Sequence, residues 1–412
     1  MTDVVVTGVG AVTPVGLSAQ DTWQALLAGK SGIDVVQSFD ASDLPVRIAG
    51  EVSGFDPGQI MTHKAIRRSA RFAQLAVAAA REAVDDADVH PDGDAVDPSR
   101  IGAVVNTAVA GVPETQDNVQ RLLSGGPRRV SPFYVSSVIP NMAACEVAIA
   151  LGLRGPVTAG ALACASGNAA LLDAQRLLLS GEADVVVAGG SDAGIAPVML
   201  AGLSNMGPLS RRNDEPTLAS RPFDRDRDGF VFGEGAVCLV LERADHARAR
   251  GVTPYARLAG GALTSDAFHV TAPEPTGAEA TAALRLTLER SELAPADIDY
   301  ISAHGTATKA NDRTEARAIH NAFGSAADEV AVSSPKSMVG HLIGAAGALS
   351  ALTCVLAIRD GIVPPTVNLD NPDPECDLDH VALRARQLRV DAALVNAFGF
   401  GGQNCVVALC RP

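Results

Sequence analysis

Short runs rich in Val and Ile, each closed by glycine or a polar residue, alternate along this chain with longer stretches whose apolar residues recur at helical spacing. Residues 4–9, Ile101–Asn106 and 184–188 are of the first kind, and 70–87 and 169–179 of the second. β-branched side chains fit a pleated, half-buried backbone, and a period near 3.6 marks one face of a helix. The rhythm therefore predicts an α/β chain of βαβ units around a mostly parallel sheet covered on both faces. The composition suits such a core: 47% of residues are hydrophobic, 19% charged and only 4% aromatic. Ala, Val, Leu and Gly must then fill the interior, which demands close approach of helices and sheets.

The second half of the chain echoes the first. Residues 256–259 lead to Gly260-Gly261 much as Val4-Val5-Val6 leads to Gly8 and Gly10. Asp299-Tyr300-Ile301-Ser302 ends in a polar loop, as Ile101–Asn106 does, and Ala393-Leu394-Val395 before Gly399 parallels Val185-Val186-Val187 before Gly189. With 412 residues, one duplicated unit is expected, joined near 250–256 through the connection 243–254.

The formal charge is −14 and no Lys/Arg-rich run interrupts it, so nucleic acid is not an expected partner. Met1-Thr2-Asp3 leads directly into a strand-like run rather than a signal sequence. Residues 342–358 carry no charge; the stretch is at the lower edge of a spanning length and reads as a buried core helix rather than a membrane segment.

Seven cysteines, at 145, 164, 238, 354, 376, 405 and 410, form no C-x-x-C pair and no metal-ligand spacing. This pattern fits reduced, cytoplasmic thiols serving mostly as small buried hydrophobes. Cys164 has a distinctive setting, Leu162-Ala163-Cys164-Ala165-Ser166-Gly167-Asn168, between a short strand near Val157-Thr158 and a helical run. A cysteine at a helix N-terminus meets free N–H groups and the positive end of the dipole, which favour the nucleophilic thiolate. Taken alone, it also fits a buried filler.

Two polar loops add to it. One is His304-Gly305-Thr306-Ala307-Thr308, followed by Asn311, Asp312 and Glu315; the other is Ser333-Ser334-Pro335-Lys336-Ser337-Met338-Val339-Gly340-His341. Either histidine alone would more often be structural. Two of them, flanked by glycines and hydroxyls and joined by a lysine, suit a site that stabilises an oxyanion. In Asn396-Ala397-Phe398-Gly399-Phe400-Gly401-Gly402-Gln403-Asn404, the glycines let backbone N–H groups converge, although an ordinary strand-to-strand turn has the same look.

In this order and over nearly the whole chain, these segments resemble the elongating beta-ketoacyl-[acyl carrier protein] synthases. Val6-Thr7-Gly8-Val9-Gly10 with Thr13-Pro14, residues 125–133, Ser220-Arg221-Pro222-Phe223-Asp224 and Asp228-Gly229-Phe230 match too, as do Gly233-Glu234-Gly235, Pro364-Pro365-Thr366 and Asn368-Leu369. The resemblance implies a thiolase-like fold: two duplicated halves in five alternating α-β-α-β-α layers, 1–250 carrying the cysteine and 251–412 the histidines and glycine turn. It implies no cofactor beyond the phosphopantetheine arm of an acyl carrier protein, and a homodimer or a heterodimer with a chain-length-factor-like subunit.

It also implies roles. Cys164 accepts the acyl group; His304 and His341 hold the enolate formed when a malonyl thioester loses CO2. Lys336 and Glu315 pair behind them. The N–H groups of Cys164 and Phe400, in the turn of Gly399, Gly401 and Gly402, form the oxyanion hole. Phe400 also gates the acyl pocket, Thr306 and Thr308 contact pantetheine, and Val109 and Leu203 line the pocket. Lys64, Arg67, Arg68 and Arg71, with Arg128 and Arg129, dock the carrier protein, unless they are simply solvated surface charge. A Cys–His–His set differs from the Cys–His–Asn of initiating synthases, and Cys405 and Cys410 lack the glycine-rich loop of a thiolase. A non-catalytic chain-length subunit would lack the cysteine. Leu162, Ala165, Ala307, Gln403, Leu203 and Val109 depart from the usual family residues, which suggests a pocket for an unusual or longer acyl chain and favours a polyketide-type role over a homodimeric fatty-acid enzyme.

Overall fold

A computed structural model describes residues 3–90 and 96–412; Met1, Thr2 and 91–95 lie outside the described residues. The elements that build the site are β1 (Val4–Val12), α1 (Arg71–Asp86), β2 (Ile101–Asn106), β3 (Val157–Thr158), α2 (Ser166–Leu179), β4 (Val185–Asp192), α3 (Pro197–Met206) and β5 (Gly235–Arg243). They continue with β6 (Ala256–Ser265), α4 (Ala278–Arg290), β7 (Tyr300–Ser302), α5 (Lys309–Phe323), β8 (Ala331–Ser333), α6 (Ala346–Asp360), β9 (Asp379–His380), β10 (Ala392–Gly399) and β11 (Gln403–Cys410).

The strands form one 11-stranded sheet in the order β9-β8-β7-β10-β11-β6-β1-β5-β4-β2-β3. Read outward from the β1–β6 seam, the order is 1-5-4-2-3 on one side and 6-11-10-7-8 on the other, with β9 added at the far edge. Strand directions mirror as well: the ladders nearest the seam are antiparallel and the outer ones parallel. The chain thus uses one topology twice, and the strands that echo each other in sequence occupy equivalent places. The expectation of a mostly parallel sheet is corrected. The chain enters β11 from β10 through a three-residue turn, and a turn that short can join only antiparallel neighbours.

Alternation along each strand feeds separate cores. Val185 and Val187 of β4 face outward onto Phe72, Leu75 and Ala79 of α1, while Val186 and Ala188 face inward. Leu394 joins Leu284 and Ile319 in the outer core of the second half, and Ala393 and Val395 point inward. The inner side chains meet the layer formed by α2 and α6, which explains why α6 is apolar nearly all round. Every residue of α6 from Ala346 to Ile358 is buried. The apolar window Ile343–Asp360 is 89% buried inside the protein, the place expected of a core helix. The expected connection 243–254 contains a short helix, Ala244–Ala249, before β6 begins.

The two central helices touch at their N-terminal ends. A Cβ on Gly167 would lie 2.4 Å from the backbone N of Ala348, and one on Gly347 would lie 2.6 Å from Asn168 Oδ1. Only glycine allows this approach, and the approach brings the loops ahead of both helices to one point.

Candidate active site

Each central helix is preceded by a tight 3₁₀ turn, Ala163–Ala165 before α2 and Ile343–Ala345 before α6. Ala163 and Ile343 both adopt the left-handed region, with φ of 48° and 50°. Such backbone costs about 1–3 kcal/mol at a non-glycine residue and persists only where packing enforces it. Cys164 follows Ala163 and is buried, 6% exposed.

The Cys164 sulfur and one ring nitrogen each from His304 and His341 lie within 4.8 Å of one another. His304 follows β7 and His341 follows the short helix Lys336–Val339. Their rings meet edge to face at 5.4 Å, and the ring of Phe398 packs against His304 at 5.7 Å. Burial, reinforced by the Lys336 ammonium, holds both imidazoles well below their usual pKa, so both are neutral at pH 7. His341 Nδ1 accepts the N–H of Ile343 at 3.2 Å. That bond assigns the proton to Nε2, which has no partner among the described residues and is free to donate. His304 Nδ1 likewise has no partner among the described residues.

Lys336 and Glu315 sit behind the histidines, but not as the expected ion pair. Glu315 accepts the N–H groups of His304 and Gly305, each at 2.7 Å, and the side-chain amide of Asn396 at 3.0 Å. Lys336 Nζ donates to the His304 carbonyl at 2.5 Å. The two charges therefore grip one peptide segment from opposite ends. Burial lowers Lys336 to about 8 against the pull of Glu315. Burial raises Glu315 against the N–H groups that favour its charge.

The glycine segment is the tip of a hairpin, Phe400 to Gly402 between β10 and β11. Gly401 and Gly402 have φ of 86° and 75°, which glycine adopts at little cost. A Cβ on Gly399 would meet the Leu162 carbonyl at 2.8 Å and the Cys164 nitrogen at 3.3 Å. The hairpin thus lies directly against the nucleophile turn, and the backbone N–H groups of Phe400 and Cys164 pull the thiol toward its charged form. The expectation of a resting thiolate at the helix N-terminus is corrected. Burial raises the Cys164 thiol to about 11, outweighing Lys336 and those two N–H groups.

A cavity of about 410 Å³ opens on this point. Cys164, His304, His341, Phe400, Gly399 and Gly402 line it, with Thr306 and Thr308 on one wall and Val109, Leu203 and Met199 on another. Thr308 caps α5 by accepting the Asn311 N–H at 3.3 Å and shares a hydrogen bond with Thr306 at 3.0 Å. Gly401 sits outside the cavity at the hairpin tip. Lys64, Arg67, Arg68, Arg128 and Arg129 are all exposed, and Arg68 lies 5.6 Å over the ring of Phe133, which draws the two basic segments together. Arg71 does not belong with them: it is spent on Glu234, at 2.7 Å. Sequence reasoning missed three buried residues behind the site: Asp192, Asn396, and Arg227, which pairs with Asp312 at 3.3 Å and Asp373 at 2.7 Å. Asp192, at the carboxyl end of a buried strand after Gly189-Gly190, carried the one signal that could have been read.

Family models of the beta-ketoacyl synthase N-terminal and C-terminal domains match residues 1–247 and 255–370. The chain is 47% identical over 405 residues to a 3-oxoacyl-[acyl-carrier-protein] synthase 2 of Synechocystis sp., covering 98% of this chain and 97% of that protein. A protein of the same name from Coxiella burnetii is 44% identical over 408 residues, covering 99% and 98%. Among solved structures, the ishigamide ketosynthase/chain length factor aligns with a TM-score of 0.93 at 35% identity, over 100% of this chain and 99% of that one.

A thiolase-like fold that closes a cysteine and two histidines around one cavity defines a carbon–carbon condensing enzyme. The chain belongs to the beta-ketoacyl synthase family, and its activity is that of an acyltransferase of the 3-oxoacyl synthase class. This family's chemistry uses no metal or small-molecule cofactor, so the converging sulfur and nitrogens serve the acyl group.

Proposed function

We propose that the chain elongates acyl groups carried on an acyl carrier protein by decarboxylative Claisen condensation with a malonyl thioester. The observation that carries this reading is the convergence of Cys164, His304 and His341 at the inner end of one largely apolar cavity. In the first half-reaction the Cys164 sulfur attacks the acyl thioester, the thiol proton passes to the neutral imidazole of His304, and the carrier thiol leaves with a proton. The developing oxyanion meets the N–H groups of Cys164 and Phe400. In the second, the malonyl carboxylate departs as CO2 and its electron pair becomes an enolate. His304 and His341 donate to the enolate oxygen. Its carbon attacks the acyl–Cys164 thioester, and the sulfur leaves to take back a proton. The product is a 3-oxoacyl thioester two carbons longer.

Lys336 and Glu315 act through the His304 peptide they both hold. Thr306 and Thr308 flank the arm of the incoming carrier, and Phe400 stands at the door of the acyl pocket. Residues 1–250 and 251–412 form the two halves, a reading supported by the mirrored strand order. The exposed Lys64, Arg67, Arg68, Arg128 and Arg129 supply local positive charge for an acidic carrier on a chain that is itself acidic. Seven unpaired cysteines support a reducing, cytoplasmic setting. The 47% identity to a 3-oxoacyl-[acyl-carrier-protein] synthase 2 supports a stand-alone elongating enzyme. Val109 and Leu203 in the pocket wall support an unusual acyl chain, and the 35% identity to the ishigamide ketosynthase/chain length factor supports a polyketide-type role. Offering malonyl carrier to the enzyme after loading acyl groups of graded length, and weighing the products, separates the two: a profile identical to that of an ordinary fatty-acid enzyme removes the second reading.

A further inference from the structure

Asp192 ends β4 with no exposed surface, and nothing in the two half-reactions above uses it. Its carboxylate is saturated with donors from two separate segments. Oδ1 accepts the Thr107 hydroxyl at 2.5 Å and the Val109 N–H at 3.0 Å. Oδ2 accepts the Ala108 N–H at 3.0 Å and the Gly344 N–H at 2.7 Å. One segment, 107–109, is a wall of the acyl cavity; the other is the turn that follows His341. Ala108, Val109 and Ile343 all line that cavity.

The turn held by Asp192 is the counterpart of the nucleophile turn in the duplicated half. Ala163–Ala165 and Ile343–Ala345 have the same shape, precede the two central helices and share a left-handed first residue. Gly344 therefore stands where Cys164 stands in the first half. The N–H that serves acyl chemistry at Cys164 is, at Gly344, occupied by a carboxylate. A Cβ on Gly344 would lie 2.4 Å from Asp192 Oδ2, so the contact admits no side chain. The strain at Ile343 matters because its own N–H fixes the tautomer of His341. Holding Gly344 holds Ile343, and Ile343 holds His341.

We propose that Asp192 is a positioning residue that couples the wall of the acyl pocket to His341, so that an acyl chain pressing on 108–109 sets the histidine that receives the enolate. The inference rests on the reading of Cys164 and His341 given above. Asparagine in place of Asp192 keeps the shape, yet its amide would face at least one backbone N–H with another donor, so one end of the link opens whichever way it turns.

The test measures the two half-reactions separately in wild type and Asp192→Asn: the rate at which acyl carrier loads Cys164, and the factor by which acylation speeds loss of CO2 from malonyl carrier. Loading is expected within about threefold of wild type. The acyl-dependent stimulation is expected to fall about a hundredfold, the scale of a misplaced catalytic group. Thr107→Val, which removes one of the four donors, should show a smaller loss of the same kind, and Thr107→Ser should restore it. That pair carries the test if Asp192→Asn does not fold. Equal slowing of both half-reactions, or no change in either, overturns the proposal. A wild-type enzyme that takes no acyl group at Cys164 overturns instead the reading on which it rests.

Discussion

Burial decides the resting charge of each group around Cys164. The thiol stands near 11, both histidines are neutral, and Lys336 is close to losing its proton at pH 8. Little of Cys164 is then thiolate at pH 8. The alkylation rate of Cys164 by iodoacetamide should accordingly keep rising with pH through 9.5; a plateau below pH 8 would show a thiolate already formed. Lys336 opposes the rise in the thiol pKa, so Lys336→Met should slow alkylation at fixed pH. Cys164, His304 and His341 were legible in sequence because each stands in a polar, glycine-bearing loop at the end of an apolar run. Asp192 was only half legible: its place at the carboxyl end of a strand can be read, but the donors from 107–109 and Gly344 appear only once the chain is folded. The charge state of Cys164 was misread because a helix N-terminus is visible in a sequence and the depth of its burial is not.

At the scale of the element, the active site is a consequence of how closely two helices and a hairpin are allowed to approach. Gly399 is the close contact between hairpin and nucleophile turn, since a methyl group there would run into the Leu162 carbonyl. Gly399→Ala should slow acyl loading of Cys164 about a hundredfold by displacing the Phe400 N–H, while circular dichroism stays near wild type and stability falls by about 1–3 kcal/mol. Unchanged loading would remove the hairpin from the oxyanion hole. Leu349 in α6 is 1% exposed in the inner helix layer. Leu349→Ala should cost about 3–5 kcal/mol in urea unfolding, the cost of a cavity in a layer that cannot collapse. The strands and helices were legible from period alone, but half the ladders proved antiparallel. A period of two fixes which face a side chain takes and says nothing of a neighbour's direction.

The whole molecule repeats one topology, and the weak sequence echoes marked equivalent strands because each pair must fill the same place in the same layers. Its outer edge is less finished. Strand β3 has no partner on its outer edge among the described residues, and Ile149, on the helix Met142–Leu151 packed against it, is 74% exposed. An exposed apolar side chain beside an unpaired strand suits contact with a second subunit. Ile149→Glu should shift the enzyme toward monomers in light scattering; an unchanged mass would put the partner elsewhere. Reversing Arg68 and Arg129 to Glu should raise KM for the carrier protein severalfold and leave small thioester mimics unaffected, with equal effects on both refuting docking there. The central claim, that acyl groups pass through Cys164, is tested most directly by intact-mass spectrometry of wild type and Cys164→Ala with acyl carrier proteins of graded chain length. One acyl mass on wild type and none on the variant is the predicted result. Acylation of both to the same extent, or of neither with any carrier, would contradict it.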